Sequence, residues 1–168
     1  MPVDITLRDF REDDAATIVG WVESAAESLA WASVPFLRLT PEILDDWHAL
    51  PGVVPCVALL DGDPCAYGQV WEDHAEDEAE LARVIVAPER RGQGVGRTFV
   101  ALLAAEARRR GFRSIVIRVV RGERAAFATY HAAGFLRMDR AEEEQLNLDQ
   151  DREYVWMRLG PSGRLPGS

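Results

Sequence analysis

Lysine is missing altogether, so all 19 basic residues are arginine. A phosphate loop of the Gly-x-x-x-x-Gly-Lys-Ser/Thr kind is thereby excluded; its nearest approach, Gly96-Arg97-Thr98, has arginine where that loop places its ammonium. Cysteine is scarce. Cys56 and Cys65 stand in neighbouring predicted strands without metal-ligand spacing, and read as reduced core residues. No apolar run approaches the roughly 18 residues of a membrane span, and Met1-Pro-Val-Asp-Ile5 has neither the basic region nor the apolar core of a signal peptide. These absences predict a cytoplasmic protein without a membrane partner. An excess of positive charge is lacking too: 28 acidic against 19 basic residues leave a net charge of −9, which argues against nucleic acid as a partner. A cationic substrate stays open.

What is present suffices for one domain. Of 168 residues 48% are hydrophobic, and we place a single domain at 1–160 and a flexible tail at 161–168. Val3 to Arg8 alternates as a strand. Ala15, Ile18, Val19 and Val22 recur at helical spacing and predict a helix carrying Trp21, with a short second helix from Ser24 through Trp31. Thr40-Pro41 reads as the cap and first position of a third helix reaching about Leu50. Val53 to Leu60 and Cys65 to Glu72 flank the turn Asp61–Pro64 as a hairpin, and Asp73 to Ala79 reads as a hydrophilic loop. Leu81 to Val86 is a central strand stopped by Pro88. A long helix from near Gly94 ends at Arg108-Arg-Arg110 and the capping Gly111. A strand Ser114 to Val120, a helix Glu123 to Ala133 and a strand from Phe135 follow. Arg140 to Arg152 reads as an acidic loop, and Glu153 to Leu159 as the last strand. That order is an α/β layered domain with a mixed sheet.

The chemistry concentrates after the central strand. Arg91-Gly-Gln-Gly-Val-Gly96 offers consecutive backbone N–H groups with little side-chain bulk at the positive end of a helix dipole, which is an anion site. A dinucleotide fingerprint does not fit, because its third glycine would fall on Arg97. The spacing that fits is Arg-x-x-Gly-x-Gly after a strand ending Val86-Ala-Pro88, followed downstream by Tyr130-His-Ala-Ala-Gly-Phe135. With these two matches in order, the chain from Val57 to Phe135 resembles the GNAT superfamily of acyl-CoA-dependent N-acetyltransferases.

The resemblance implies a mostly antiparallel central sheet flanked by helices, with two central strands splayed apart. It implies acetyl-CoA as co-substrate, no metal, and direct transfer of the acetyl group to a primary amine. The cofactor would lie on Val84, Ile85, Val86, Arg91, Gly92, Gln93, Gly94, Val95, Gly96 and Arg97, with backbone N–H groups near Val84 and Val86 aimed at the developing oxyanion. Tyr130 matches the family's proton donor to the departing thiolate; its plain alternative is core packing beside Ala126 and Phe127. An unperturbed amine of pKa about 10.4 must lose a proton before attack, a deficit of about 4.6 kcal/mol at pH 7. Glu80 is the candidate base, Glu72 its rival, and a solvated hairpin loop the plain reading of their surroundings. Trp31 and Phe36 are candidate walls of the acceptor pocket, and His48, His74 and His131 read as surface groups. The acceptor would be a small cationic metabolite or a protein amine. Val120 to Arg124 lacks the asparagine many relatives carry there. A non-catalytic acetyl-CoA sensor is the alternative, and the sequence leaves monomer and homodimer equally open.

Overall fold

The computed structural model describes residues 2–36 and 38–161. Seven strands form one sheet: β1 (Thr6–Asp9), β2 (Val53–Leu60), β3 (Asp63–Asp73), β4 (Glu78–Val86), β5 (Ser114–Val120), β6 (Phe135–Arg137) and β7 (Tyr154–Leu159). Their spatial order is β1-β2-β3-β4-β5-β7-β6. All pairs are antiparallel except β4 with β5. A parallel pair needs a crossover, and the long helix α4 (Val95–Arg109) supplies it.

The remaining helices are α1 (Ala15–Val19), α2 (Ala25–Ala32), α3 (Glu42–His48), α5 (Arg124–Ala132) and α6 (Arg140–Asn147). The sheet carries a core on each face. Val95, Phe99, Val100 and Leu103 of α4 pack with Ala66, Leu81, Ile115 and Ile117. Ile18, Trp31 and Leu44 from α1, α2 and α3 meet Val57, Tyr67 and Ile85 on the other side. This is the period-two alternation of a sheet buried on both faces. Gly68 permits the close seat of α4: a Cβ there would lie 2.9 Å from Leu103 Cδ1 and 3.1 Å from Phe99 Cε1.

Several boundaries differ from the sequence reading. The loop expected at Arg140 to Arg152 contains α6, whose Asp139 cap accepts a hydrogen bond from Glu142 N–H at 2.9 Å. That helix is fixed by its buried Glu143, which accepts from Arg137 and from the Trp156 N–H, and by Leu146 beside Trp156. Trp21 falls just beyond α1 instead of on it, and β1 starts at Thr6 instead of Val3. The third helix opens without a side-chain cap from Thr40 and stops at His48. The hydrophilic loop shrinks to a turn in which Asp73 accepts from the N–H groups of Ala75 and Glu76, so Glu80 sits within β4 instead of at its start. Both cysteines are free and buried. Most of the expected tail, residues 162–168, lies outside the described residues.

Candidate active site

The site begins where two strands part. β4 and β5 pair from Glu78↔Ser114 to Leu81↔Ile117 and no further, although β4 continues to Val86 and β5 to Val120. Each then follows its other neighbour, Ile85 opposite Tyr67 and Val120 opposite Tyr154. The wedge between them is a cavity of about 570 Å³.

A bulge shapes one wall. Gln69 pairs with Ala82 and Tyr67 with Ile85, so Arg83 and Val84 share the span opposite Gly68, and Arg83 takes a φ of 55°. A left-handed arginine is uncommon; here the bulge re-aims its side chain. Arg83 Nη1 donates to the Trp31 carbonyl at 2.7 Å, and the Trp31 indole N–H returns a bond to the Arg83 carbonyl at 2.8 Å.

At one end of the wedge lies the amino terminus of α4. Its cap, Gly94, has a φ of 84° and offers no side-chain hydrogen bond, so the first N–H groups of the helix are without a side-chain cap. Gly92, with φ 72°, is open: a Cβ there would meet nothing within 4 Å. At Gly96 a Cβ would lie 3.4 Å from Thr129 and 3.5 Å from Val86, so helix, strand and α5 converge there. Arg97 is exposed beside this end and lines the cavity. Arg91 lines it too but is engaged with the Glu27 carboxylate at 2.5 Å and the carbonyls of Trp21 and Val86, both at 3.1 Å. It fastens the loop to the region of α2. This bare, glycine-lined helix terminus with cationic neighbours fits a phosphate group.

Glu80 and Tyr130 also line the cavity. Burial pushes the Glu80 carboxyl from its ordinary 4.5 up to about 7, with Arg118 offsetting part of the rise. Arg118 Nε lies 2.8 Å from Glu80 Oε1, yet out of line for a hydrogen bond, and that buried oxygen has no hydrogen-bond partner among the described residues. Burial raises the Tyr130 phenol to about 12. The phenol therefore keeps its proton at neutral pH, and the carboxyl exchanges one there.

The other end is aromatic. Trp31, Trp71 and Tyr154 line it, with the guanidinium groups of Arg83 and Arg118 between them. Arg118 sits 4.9 Å from the Tyr154 ring centre and 5.6 Å from that of Trp71. Arg83 lies 4.0 Å over Trp47 and 5.9 Å from Trp71. A chain of hydrogen bonds holds Trp71: its N–H donates to Gln69 Oε1 at 2.6 Å, and Gln69 Nε2 donates to the Tyr67 hydroxyl at 2.5 Å. That hydroxyl lies 2.9 Å from His48 Nε2. Burial lowers the His48 pKa.

Of the residues singled out in the sequence, Trp31, Glu80, Val84, Ile85, Val86, Arg91, Gly92, Gly94, Gly96, Arg97 and Tyr130 line one cavity. Val95 is a fully buried core residue, and Gln93 donates to the Glu89 carbonyl at 2.8 Å. Phe36 is 60% exposed and outside the cavity lining. Glu72 turns away to Arg110, 3.6 Å distant. His48 is half-buried against Phe10 and Tyr67 instead of being a surface group. Sequence reasoning passed over Arg83, Arg118, Trp71 and Tyr154 as wall residues; the available signal was arginine inside two apolar strands. Among the described residues, no three His, Cys, Asp or Glu side chains gather as metal ligands would. No helix among them is long and apolar enough to cross a membrane.

A search of curated proteins gives no match. Solved structures do match in fold. Aminoglycoside acetyltransferase AAC(6')-Ib, crystallised with coenzyme A and kanamycin, superposes with a TM-score of 0.76 at 21% identity over 95% of this chain and 96% of that one. The spermidine N-acetyltransferase of Vibrio cholerae, crystallised with CoA and spermine, gives 0.71 at 17% identity over 92% of each chain. The sequence itself matches the acetyltransferase (GNAT) family over residues 13–135, well over half its length. The glycine loop, most of the parted strands and the tyrosine on α5 fall within that span, and the chain belongs to the GNAT acetyltransferase family.

Proposed function

We propose that this protein transfers the acetyl group of acetyl-CoA directly to a primary amine, without a covalent enzyme intermediate. The observation that carries the reading is the single wedge that joins the glycine-lined terminus of α4 to a carboxyl poised near neutrality and a protonated phenol. Acetyl-CoA supplies an activated acyl group and an anchoring pyrophosphate. The N–H groups of Gly92 to Arg97 bind that anion, as helix termini and glycine turns do. Backbone N–H groups beside the bulge at Val84 are placed to stabilise negative charge at the acyl oxygen.

Glu80 takes the proton that the amine sheds as its nitrogen bonds to the acyl carbon. Tyr130 gives its proton to the sulfur as the carbon–sulfur bond breaks. The sum is an amide, a free thiol and the proton released from the ammonium. The fold relatives include an aminoglycoside acetyltransferase and a spermidine N-acetyltransferase, which supports a small amine as the acceptor.

The test is a panel of primary amines scored for CoA release and for acetylated product by mass. Tight binding of acetyl-CoA with no turnover on any amine would replace the enzyme reading by that of a sensor. The loop has its own test. Gly94→Val places a β-branched residue at a φ of 84° in the phosphate seat, and should weaken acetyl-CoA binding more than tenfold, about 1.4 kcal/mol. Unchanged affinity by calorimetry in a folded variant would remove this loop from the site.

A further inference from the structure

The acceptor end of the wedge holds more positive than negative charge, although the protein as a whole carries −9. The carboxylates lining the cavity are Glu27, Glu80 and Glu123. Glu27 is taken by Arg91 at 2.5 Å and Glu80 by Arg118 at 2.8 Å. Glu123 is exposed, at the start of α5. Arg83 is left over. No carboxylate pairs with it among the described residues, its Nε is buried without a hydrogen-bond partner, and its environment is aromatic: Trp47 at 4.0 Å and Trp71 at 5.9 Å. A guanidinium withdrawn from water is destabilising unless an anion faces it. Burial accordingly pulls its pKa down, with the positive charge of Arg118 adding to that effect.

We infer that the acceptor is a small amine that also bears a carboxylate, held by Arg83 with its carbon skeleton between Trp31, Trp71 and Tyr154 and its amine towards Glu80. This rests on the acetyl-transfer reading above. The substrate carboxylate supplies the counter-charge that Arg83 lacks, at a guanidinium whose planar fork suits carboxylates. Both arginines flank one indole, Arg83 at 5.9 Å and Arg118 at 5.6 Å from Trp71, so the anion and the amine end near Glu80 lie a short skeleton apart. A polycation such as spermidine or an aminoglycoside would bring further positive charge to this end. The overall acidity of the chain, from which a cationic acceptor was expected, is not the charge at the cavity wall.

The experiment compares matched triplets, each an amino carboxylate, its carboxamide and its decarboxylated amine, on glycine, 4-aminobutyrate and phenylalanine skeletons, with spermidine alongside. The best carboxylate should exceed its amide and its amine at least tenfold in kcat/KM. Arg83→Met, which keeps an unbranched stem and deletes the guanidinium that stands over Trp47, should abolish that preference chiefly through KM, and Arg83→Lys should restore part of it. Equal use of carboxylate and amide, or preference for spermidine, overturns the inference while leaving acetyl transfer intact. The wild-type triplets decide this even if Arg83→Met fails to fold.

Calorimetry of the CoA-bound protein with N-acetylphenylalanine and its amide separates the two proposals when no amine turns over. Binding that requires the carboxylate and is lost in Arg83→Met upholds the anion seat and removes the enzyme reading; absence of any such binding overturns the seat as well.

Discussion

Replacing Tyr130 by phenylalanine is expected to lower kcat by roughly 10²-fold or more, the usual loss on removing a positioned proton donor. The ring remains, so its packing beside Ala126 and Phe127 survives and melting temperature should barely move. Acetyl-CoA affinity should also hold, because only the hydroxyl is lost. Burial that lifts the phenol to about 12 keeps it protonated across the accessible pH range, so its contribution adds no ionisation limb of its own to the pH profile near neutrality. Undiminished turnover under chemistry-limited conditions would return Tyr130 to the core and assign the proton to water.

Glu80→Gln should separate base from acid. In the parent protein activity should rise with pH through about 7, as the carboxyl loses its proton and becomes competent to accept one. The variant should lack that limb. At pH 7 it should be slower by about 10²-fold, and the gap should narrow at higher pH as the amine deprotonates without help. Glutamine keeps the size of the side chain beside Arg118, whose Nη1 still donates to Gln150 Oε1 at 2.7 Å. Stability gives an independent check, and its sign is fixed. The folded pKa lies above the ordinary 4.5, so the folded form retains a proton that the unfolded form releases, and this contribution is full below about 4.5 and lost as pH rises through about 7. Melting temperature in the parent should fall across that window more than in Glu80→Gln. A pH–rate profile identical in both proteins would remove Glu80 from the chemistry.

The glycine loop was legible because backbone geometry restricts the alphabet. A left-handed turn at Gly92 and Gly94 and a close approach at Gly96 select glycine at short spacing, and the spacing can be read. Tyr130 was legible for a related reason, since it lies four residues before Gly134, whose φ of 101° ends α5. The acceptor end was not. Arg83, Trp47, Trp71, Arg118 and Tyr154 belong to five different elements, and only the bulge opposite Gly68 turns Arg83 among the aromatics. α6 was missed because its eight residues, RAEEEQLN, offer almost no apolar period. Its cap at Asp139 with acidic residues in the first turn was the readable signal. Phe36 and Glu72 were placed near the pocket by their neighbours in sequence, and the first faces solvent while the second faces Arg110.

The short joint between β4 and β5 also bears on how the protein assembles. One side of the sheet, β1 to β4, is made largely of neighbouring antiparallel strands, whereas among the described residues the only backbone ladder to β5, β7 and β6 is the four-residue parallel register from Glu78 to Leu81. Closing it brings together residues 36 positions apart, with α4 formed between them, as the Ser114 hydroxyl bonded to Glu78 at 2.8 Å records. Such non-local contacts repay their loop-closure entropy late. The wedge comes into being with that closure, so a fragment holding the glycine loop without β5 contains the motif and half its walls, but no groove in which a pantetheine arm can lie.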